Sequence, residues 1–130
     1  MKIEHVGLMV QDLEGMRHFY EHYFEGQAGQ KYHNPKTTFQ SYFLTFSDGA
    51  RLEIGTKENL KSADKSVWTG YAHLAISVGS KEKVDELCQR FLADGFEVKS
   101  GPRTTGDGYY EAVILDPCLL YTSPSPRDMR

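Results

Sequence analysis

Apolar residues recur at every second position over residues 3–10. Val6, Leu8 and Val10 fall on one side, and Ile3, His5, Gly7 and Met9 on the other. That alternation predicts a half-buried strand. The period then lengthens. Asp12 stands where a helix cap is needed, and Leu13, Met16, Phe19, Tyr20, Tyr23 and Phe24 collect on one face of a helix over residues 13–24. Gly26 and Gly29 break that pattern. Residues 39–46 are rich in aromatics and predict a strand, Ser47-Asp48-Gly49 a hairpin turn, and residues 51–55 a second short strand. A polar stretch over 58–69 reads as a linker.

The pattern then starts again. Residues 71–78 alternate, with Ala72, Leu74, Ile76 and Val78 on one face and Tyr71, His73, Ala75 and Ser77 on the other. Ser80 is placed to cap a helix with apolar positions Val84, Leu87, Cys88, Phe91 and Leu92, and Gly95 to stop it. A short strand over 96–98, a loop over 101–108 and a strand over 109–115 follow, ending in Asp116-Pro117. His5 matches His73, Val10 matches Val78 and Asp48 matches Asp116 at a single offset. Strand, helix and strands occurring twice at one spacing indicate an internal duplication. Neither half is expected to bury its sheet face alone.

Composition narrows the classes. A chain of 130 residues with 39% hydrophobic and 25% charged residues suits one globular domain or two half-domains. A formal charge of -3 with no basic, aromatic-studded patch argues against nucleic acid. No apolar run approaches the roughly 20 residues needed to span a bilayer. The chain starts directly with a strand pattern, so the cytoplasm is the expected compartment. Cys88 and Cys118 form neither a disulfide framework nor a paired zinc spacing.

The repeat gives the chemistry its shape. His5 and His73 sit at equivalent points of equivalent strands, opposite the helix-packing side chains, and Glu53 lies between Leu52 and Ile54 on the strand closing the first half. Two imidazoles and a carboxylate suit a borderline divalent cation such as zinc, nickel, cobalt, iron or manganese. A single strand histidine is more often structural, and a single strand glutamate more often solvated. The duplication couples the two histidines and raises the weight of the metal reading.

The segments EHVGLMVQDLEGMRHFYEHYF, SDGARLEIG, GYAHLAISV and VILDP resemble the markers of the glyoxalase/bleomycin-resistance, or vicinal oxygen chelate, superfamily over residues 1–117. The resemblance implies an α+β fold in which two βαβββ modules form an open, cup-shaped mixed sheet with helices outside. Module one would span 1–57 and module two 70–117. It implies metal ligands at His5, Glu53 and His73, with Glu53 also the catalytic base. It also implies a small-molecule substrate and a homodimer, leaving open whether modules pair within one chain or between two. The family's fourth ligand is usually a glutamate on the final strand, and here the pattern departs after Asp116-Pro117.

From Cys118 the sequence reads CLLYTSPSPRD, which resembles the translation of a transposase-based sequencing-library adapter. Residues 118–130 are therefore expected to be non-native, with the natural last strand missing or replaced and the lost glutamate falling near Ser123. Residues 119–121 could pair as a makeshift edge strand, which Pro124 and Pro126 should end.

The ligand set favours a glyoxalase I-like lyase or isomerase that moves a proton on a substrate such as a hemithioacetal. A metal-dependent acyl-CoA epimerase and a non-catalytic antibiotic-binding protein are the alternatives. Met9 and Lys57 stand where glyoxalase I often carries arginine and asparagine for glutathione, which points to a different thiol or small molecule. Among other residues, Glu111 and Arg103 are candidates to touch substrate. His18 and His22 read as a solvated helix face, His33 as a surface residue and Cys88 as a core residue.

Overall fold

The computed structural model describes residues 1–61, 72–118 and 121–125. The chain divides into two compact units, Met1–Ala63 and Asp64–Arg130. Most of the expected linker, together with Tyr71, residues 119–120 and Pro126, lies outside the described residues.

Unit one contains β1 (His5–Met9), α1 (Leu13–Phe24), β2 (Gln27–Ala28), β3 (Tyr32–His33), β4 (Gln40–Thr45) and β5 (Arg51–Thr56). The sheet order is β1-β5-β4-β2, with β3 also on β4. The first strand runs parallel to the last, and the other pairings are antiparallel. Unit two repeats this plan with β6 (His73–Ser77), α2 (Lys81–Ala93), β7 (Val98–Thr104), β8 (Tyr110–Leu115) and β9 (Tyr121–Ser125), in the order β6-β9-β8-β7. The fold is α+β, built from two βαβββ units. In unit one the second strand is split into β2 and β3, which the glycine-broken sequence did not reveal.

Both helices begin where the side chains dictate. The Asp12 carboxylate accepts from Gly15 N–H, and the Ser80 hydroxyl accepts from Lys83 N–H. The buried face of α1 is the predicted set Leu13, Met16, Phe19, Tyr20, Tyr23 and Phe24. It packs on Leu44, Leu52 and Ile54 of the sheet. In α2 the buried residues are Val84, Leu87, Cys88 and Phe91, but Leu92 is 57% exposed. Leu92 falls about 40° beyond Cys88, past the edge of the buried stripe.

Three expectations are corrected. Residues 101–104 belong to β7 rather than to a loop. The strand continues because the second of two irregularities in the β7–β8 register, between Ser100 and Arg103, absorbs the glycine and proline, and Gly101 takes a φ of +84° there. Next, Tyr121–Ser125 forms a strand at the centre of its sheet, not at an edge, with Pro124 buried inside it. The ring is accommodated because the β8–β9 register covers only Ile114↔Thr122 and Leu115↔Tyr121, short of Pro124. The corresponding β4–β5 register runs from Gln40↔Thr56 to Thr45↔Arg51.

Finally, strand register pairs Leu115 with Tyr121 as it pairs Thr45 with Arg51. Asp48 is therefore equivalent to Cys118, not to Asp116. Unit two is two residues longer ahead of β8, so the match of the two aspartates is a coincidence of local chemistry. Each carboxylate accepts from the N–H two residues on, at Ala50 and at Cys118.

Gly101 supplies the first test. A Cβ there would lie 2.7 Å from the Glu111 carbonyl oxygen, on a backbone with positive φ. Gly101→Ala should lose about 1–3 kcal/mol in urea unfolding. Gly106→Ala, where a Cβ would meet nothing within 4 Å, should stay close to the parent. Equal midpoints for all three proteins would contradict this account of β7.

Candidate metal centre

The site grows out of strand alternation in unit one. Val6 and Leu8 pair with Leu52 and Ile54 on the helix side, so His5 and Gly7 pair with Arg51 and Glu53 on the other. Phe43 is the register partner of Glu53 on β4 and lies on that same face. His5 Nε2 stands 3.8 Å from Glu53 Oε1, too far for a hydrogen bond. Metal–nitrogen and metal–oxygen bonds of about 2.0–2.2 Å, meeting at ordinary angles, put donor atoms roughly 3.0–3.5 Å apart. A small side-chain rotation closes the difference, so the pair fits two adjacent ligands of one cation. Gly7 helps by being small: a Cβ there would lie 3.9 Å from Glu53 Oε1, and any longer side chain would fill the space before the carboxylate.

A ring of contacts holds the imidazole. His5 Nδ1 lies 3.3 Å from Glu4 Oε1, and Arg51 Nη1 donates to that same oxygen at 2.6 Å. The Arg51 guanidinium carbon sits 4.1 Å over the Phe43 ring, and Phe43 meets the His5 ring edge-on at 5.0 Å. Desolvation works against the charged Glu4 carboxylate, but hydrogen bonds and charge from His5 and Arg51 outweigh it and hold Glu4 below the usual carboxylate range. Sequence reading missed Glu4, Arg51 and Phe43. Alternation along residues 51–55 places Arg51 on the Glu53 face and could have revealed it.

His73 opens β6 as His5 opens β1, and it is exposed. Its register partner is Tyr121, and Ala75 pairs with Ser123 just as Gly7 pairs with Glu53. The strand thus sets Ser123 at the point equivalent to Glu53. The structure brings His5 and Glu53 together within one unit, and it places His73 at the matching position of the other. Among the described residues, no group of three or more His, Cys, Asp or Glu side chains gathers as a cation site.

Glu111 lies on β8 with only 7% of its surface exposed. Its neighbour Ala112 packs with Val84 and Cys88, so alternation turns Glu111 to the face away from α2. Arg103 is its register partner on β7, exposed, with Nε donating to Ser100 Oγ at 2.9 Å. His18 and His22 are exposed on α1 with their rings stacked 5.4 Å apart, and His33 is exposed on β3.

A family model for the glyoxalase/bleomycin resistance protein/dioxygenase superfamily matches residues 2–118. The chain belongs to this superfamily. Solved superfamily folds resemble it over almost its whole length. Glyoxalase I from Zea mays matches with a TM-score of 0.81 at 21% identity, covering 97% of this chain and 44% of that one. The trypanothione-dependent glyoxalase I of Leishmania major matches at 0.80 and 20%, covering 99% and 89%. The genomically encoded fosfomycin resistance protein FosX from Listeria monocytogenes matches at 0.75 and 19%, covering 96% and 92%. The chain thus spans less than half the length of the maize enzyme. At such identities the likeness shows a shared fold. A search of curated proteins finds no match. No helix among the described residues is long and apolar enough to cross a membrane.

Cysteine chemistry is not part of this site. Cys88 is buried on α2, and burial, with Asp85 second, pushes its thiol up, away from the thiolate a nucleophile needs. Cys118 is half-buried. A disulfide reagent should therefore modify one thiol readily in the folded protein and the second only in urea. Two fast native thiols would contradict the assignment of Cys88 to the core.

Proposed function

We propose that this superfamily member is a metal-dependent lyase or isomerase of the glyoxalase I type, acting by proton transfer on a small substrate with adjacent oxygens, such as a hemithioacetal. The observation that carries the proposal is the His5–Glu53 pair, with donor atoms 3.8 Å apart beside Gly7, a small side-chain rotation from the spacing of two ligands on one cation. His5, Glu53 and His73 would hold a divalent ion (nickel, zinc, cobalt, iron or manganese). Bound there, such an ion polarises the two substrate oxygens as a Lewis acid.

The chain's own residues do the rest. Glu53 takes the proton from the carbon bearing sulfur and returns it to the neighbouring carbonyl carbon. The hydroxyl proton passes to the neighbouring oxygen in the same direction, and the double bond shifts the other way. A hemithioacetal thus becomes a 2-hydroxy thioester with its composition unchanged. Glu111, buried on the face away from α2, and Arg103, its strand partner, are proposed to line the substrate side of unit two. Met9, 41% exposed on the His5 face, and the exposed Lys57 support a thiol other than glutathione. A homodimer and a cytoplasmic setting belong to the same proposal.

Residues 118–130 are proposed to be foreign to the natural chain, a reading supported by a family match that ends at residue 118. Ser123 would then replace the fourth ligand. The alternatives carry less: a non-catalytic antibiotic-binding protein would have no need of His5, Glu53 and His73 together, and an acyl-CoA epimerase often carries glutamine where Glu53 stands.

Ser123→Glu separates the readings. It should raise zinc or nickel affinity by about tenfold or more, and bring methylglyoxal–thiol turnover above the parent's level. His5→Ala in the same background should abolish both gains. No metal uptake by the parent or by Ser123→Glu, with tight binding of a bleomycin-type antibiotic, would overturn the enzymatic proposal.

A further inference from the structure

The ring of contacts around His5 carries an inference about how that imidazole is aimed. An imidazole offers two nitrogens, and in its neutral form only one has a lone pair to give. Nε2 faces Glu53, and Nδ1 faces a carboxylate oxygen of Glu4. A carboxylate accepts and cannot donate, so a neutral His5 satisfies Glu4 only by placing its proton on Nδ1. The lone pair is then left on Nε2, on the Glu53 side.

Glu4 is itself fixed. Its Oε1 receives Arg51 Nη1 at 2.6 Å, and the Arg51 guanidinium rests on Phe43 at 4.1 Å. Phe43 returns to the imidazole edge-on at 5.0 Å, closing the circuit. Two groups thus constrain the ring, Glu4 at Nδ1 and Phe43 through the T-shaped ring contact. Arg51 is held because it is the β5 register partner of His5.

We propose that Glu4 is a positioning residue, anchored by Arg51, that fixes the tautomer and ring orientation of His5 so that Nε2 is the atom presented beside Glu53. Its importance for metal rests on His5 being a ligand, as proposed above. Its effect on the tautomer does not. An outer carboxylate of this kind typically alters metal affinity 10- to 100-fold, and an exposed one belongs at the low end.

The test reads the ring before it reads any metal. Nitrogen-15 chemical shifts of the imidazoles are recorded on the metal-free full chain at alkaline pH, with the His5 signals assigned by their loss in His5→Gln. The parent should show His5 mainly as the Nδ1–H tautomer. Glu4→Ala should shift the tautomer ratio toward Nε2–H by about two- to tenfold, the equivalent of one net hydrogen bond. Glu4→Gln, which keeps an acceptor oxygen, should restore most of it. Arg51→Met should move the ratio in the Ala direction. Zinc affinity from competition titration should fall about tenfold in Glu4→Ala and recover in Glu4→Gln. A His5 ratio unchanged in Glu4→Ala overturns the proposal. A ratio that moves while the parent takes up no zinc supports the positioning role and defeats the ligand reading of His5, so the two failures are distinguishable.

Discussion

Parallel pairing of β1 with β5 is the constraint from which the site follows. In a parallel ladder, register partners point to the same face, so Val6 and Leu8 stand with Leu52 and Ile54 over α1 while His5 and Gly7 stand with Arg51 and Glu53 on the reverse. A slip by one residue would turn Leu52 and Ile54 out and Glu53 in. Leu52 is 5% exposed and Ile54 fully buried, and losing each burial would cost about 1.5–3 kcal/mol. The core of unit one thus enforces a register whose by-product is an imidazole next to a carboxylate. Stability and chemistry use opposite sides of the same two strands.

That division explains which parts of the molecule could be read from sequence. The α1 stripe, both N-caps and the His5/Glu53 face follow from period and capping, which are local properties of the chain. Cys88 was equally legible, because an apolar stripe at helical spacing already places it inside. The split of β2 from β3 was not, since each holds only two residues and no alternation can be seen over so short a run. The extension of β7 through Gly101 and Pro102 was hidden because bulges turn strand-breaking residues into strand members. Glu4 escaped notice for another reason: it precedes β1, and its anchor Arg51 meets it only once the ladder has formed.

The duplication was visible from His5 and His73, and strand order confirms it: both sheets run first, last, third, second. Matching aspartates misled at the third landmark because Asx turns recur wherever a chain reverses, so aspartate marks a turn without marking a register. The ladder is the better ruler. It places Ser123 where Glu53 stands, and Thr122, fully buried, where Leu52 stands. Unit two therefore carries a hydroxyl in the place of a core leucine side chain, a weaker contributor to burial.

The truncated seam between β8 and β9 has a consequence for how the molecule breathes. Unit one zips its two central strands along their whole length, whereas unit two fastens the same seam near one end, beside a proline that has no N–H to give. The free energy of a local opening scales with the ladder it must break. Amide deuteration and proteolytic nicking should thus begin in the half that bears His73, while the half that bears Glu53 stays closed, so any wear of the fold reaches one imidazole well before the other.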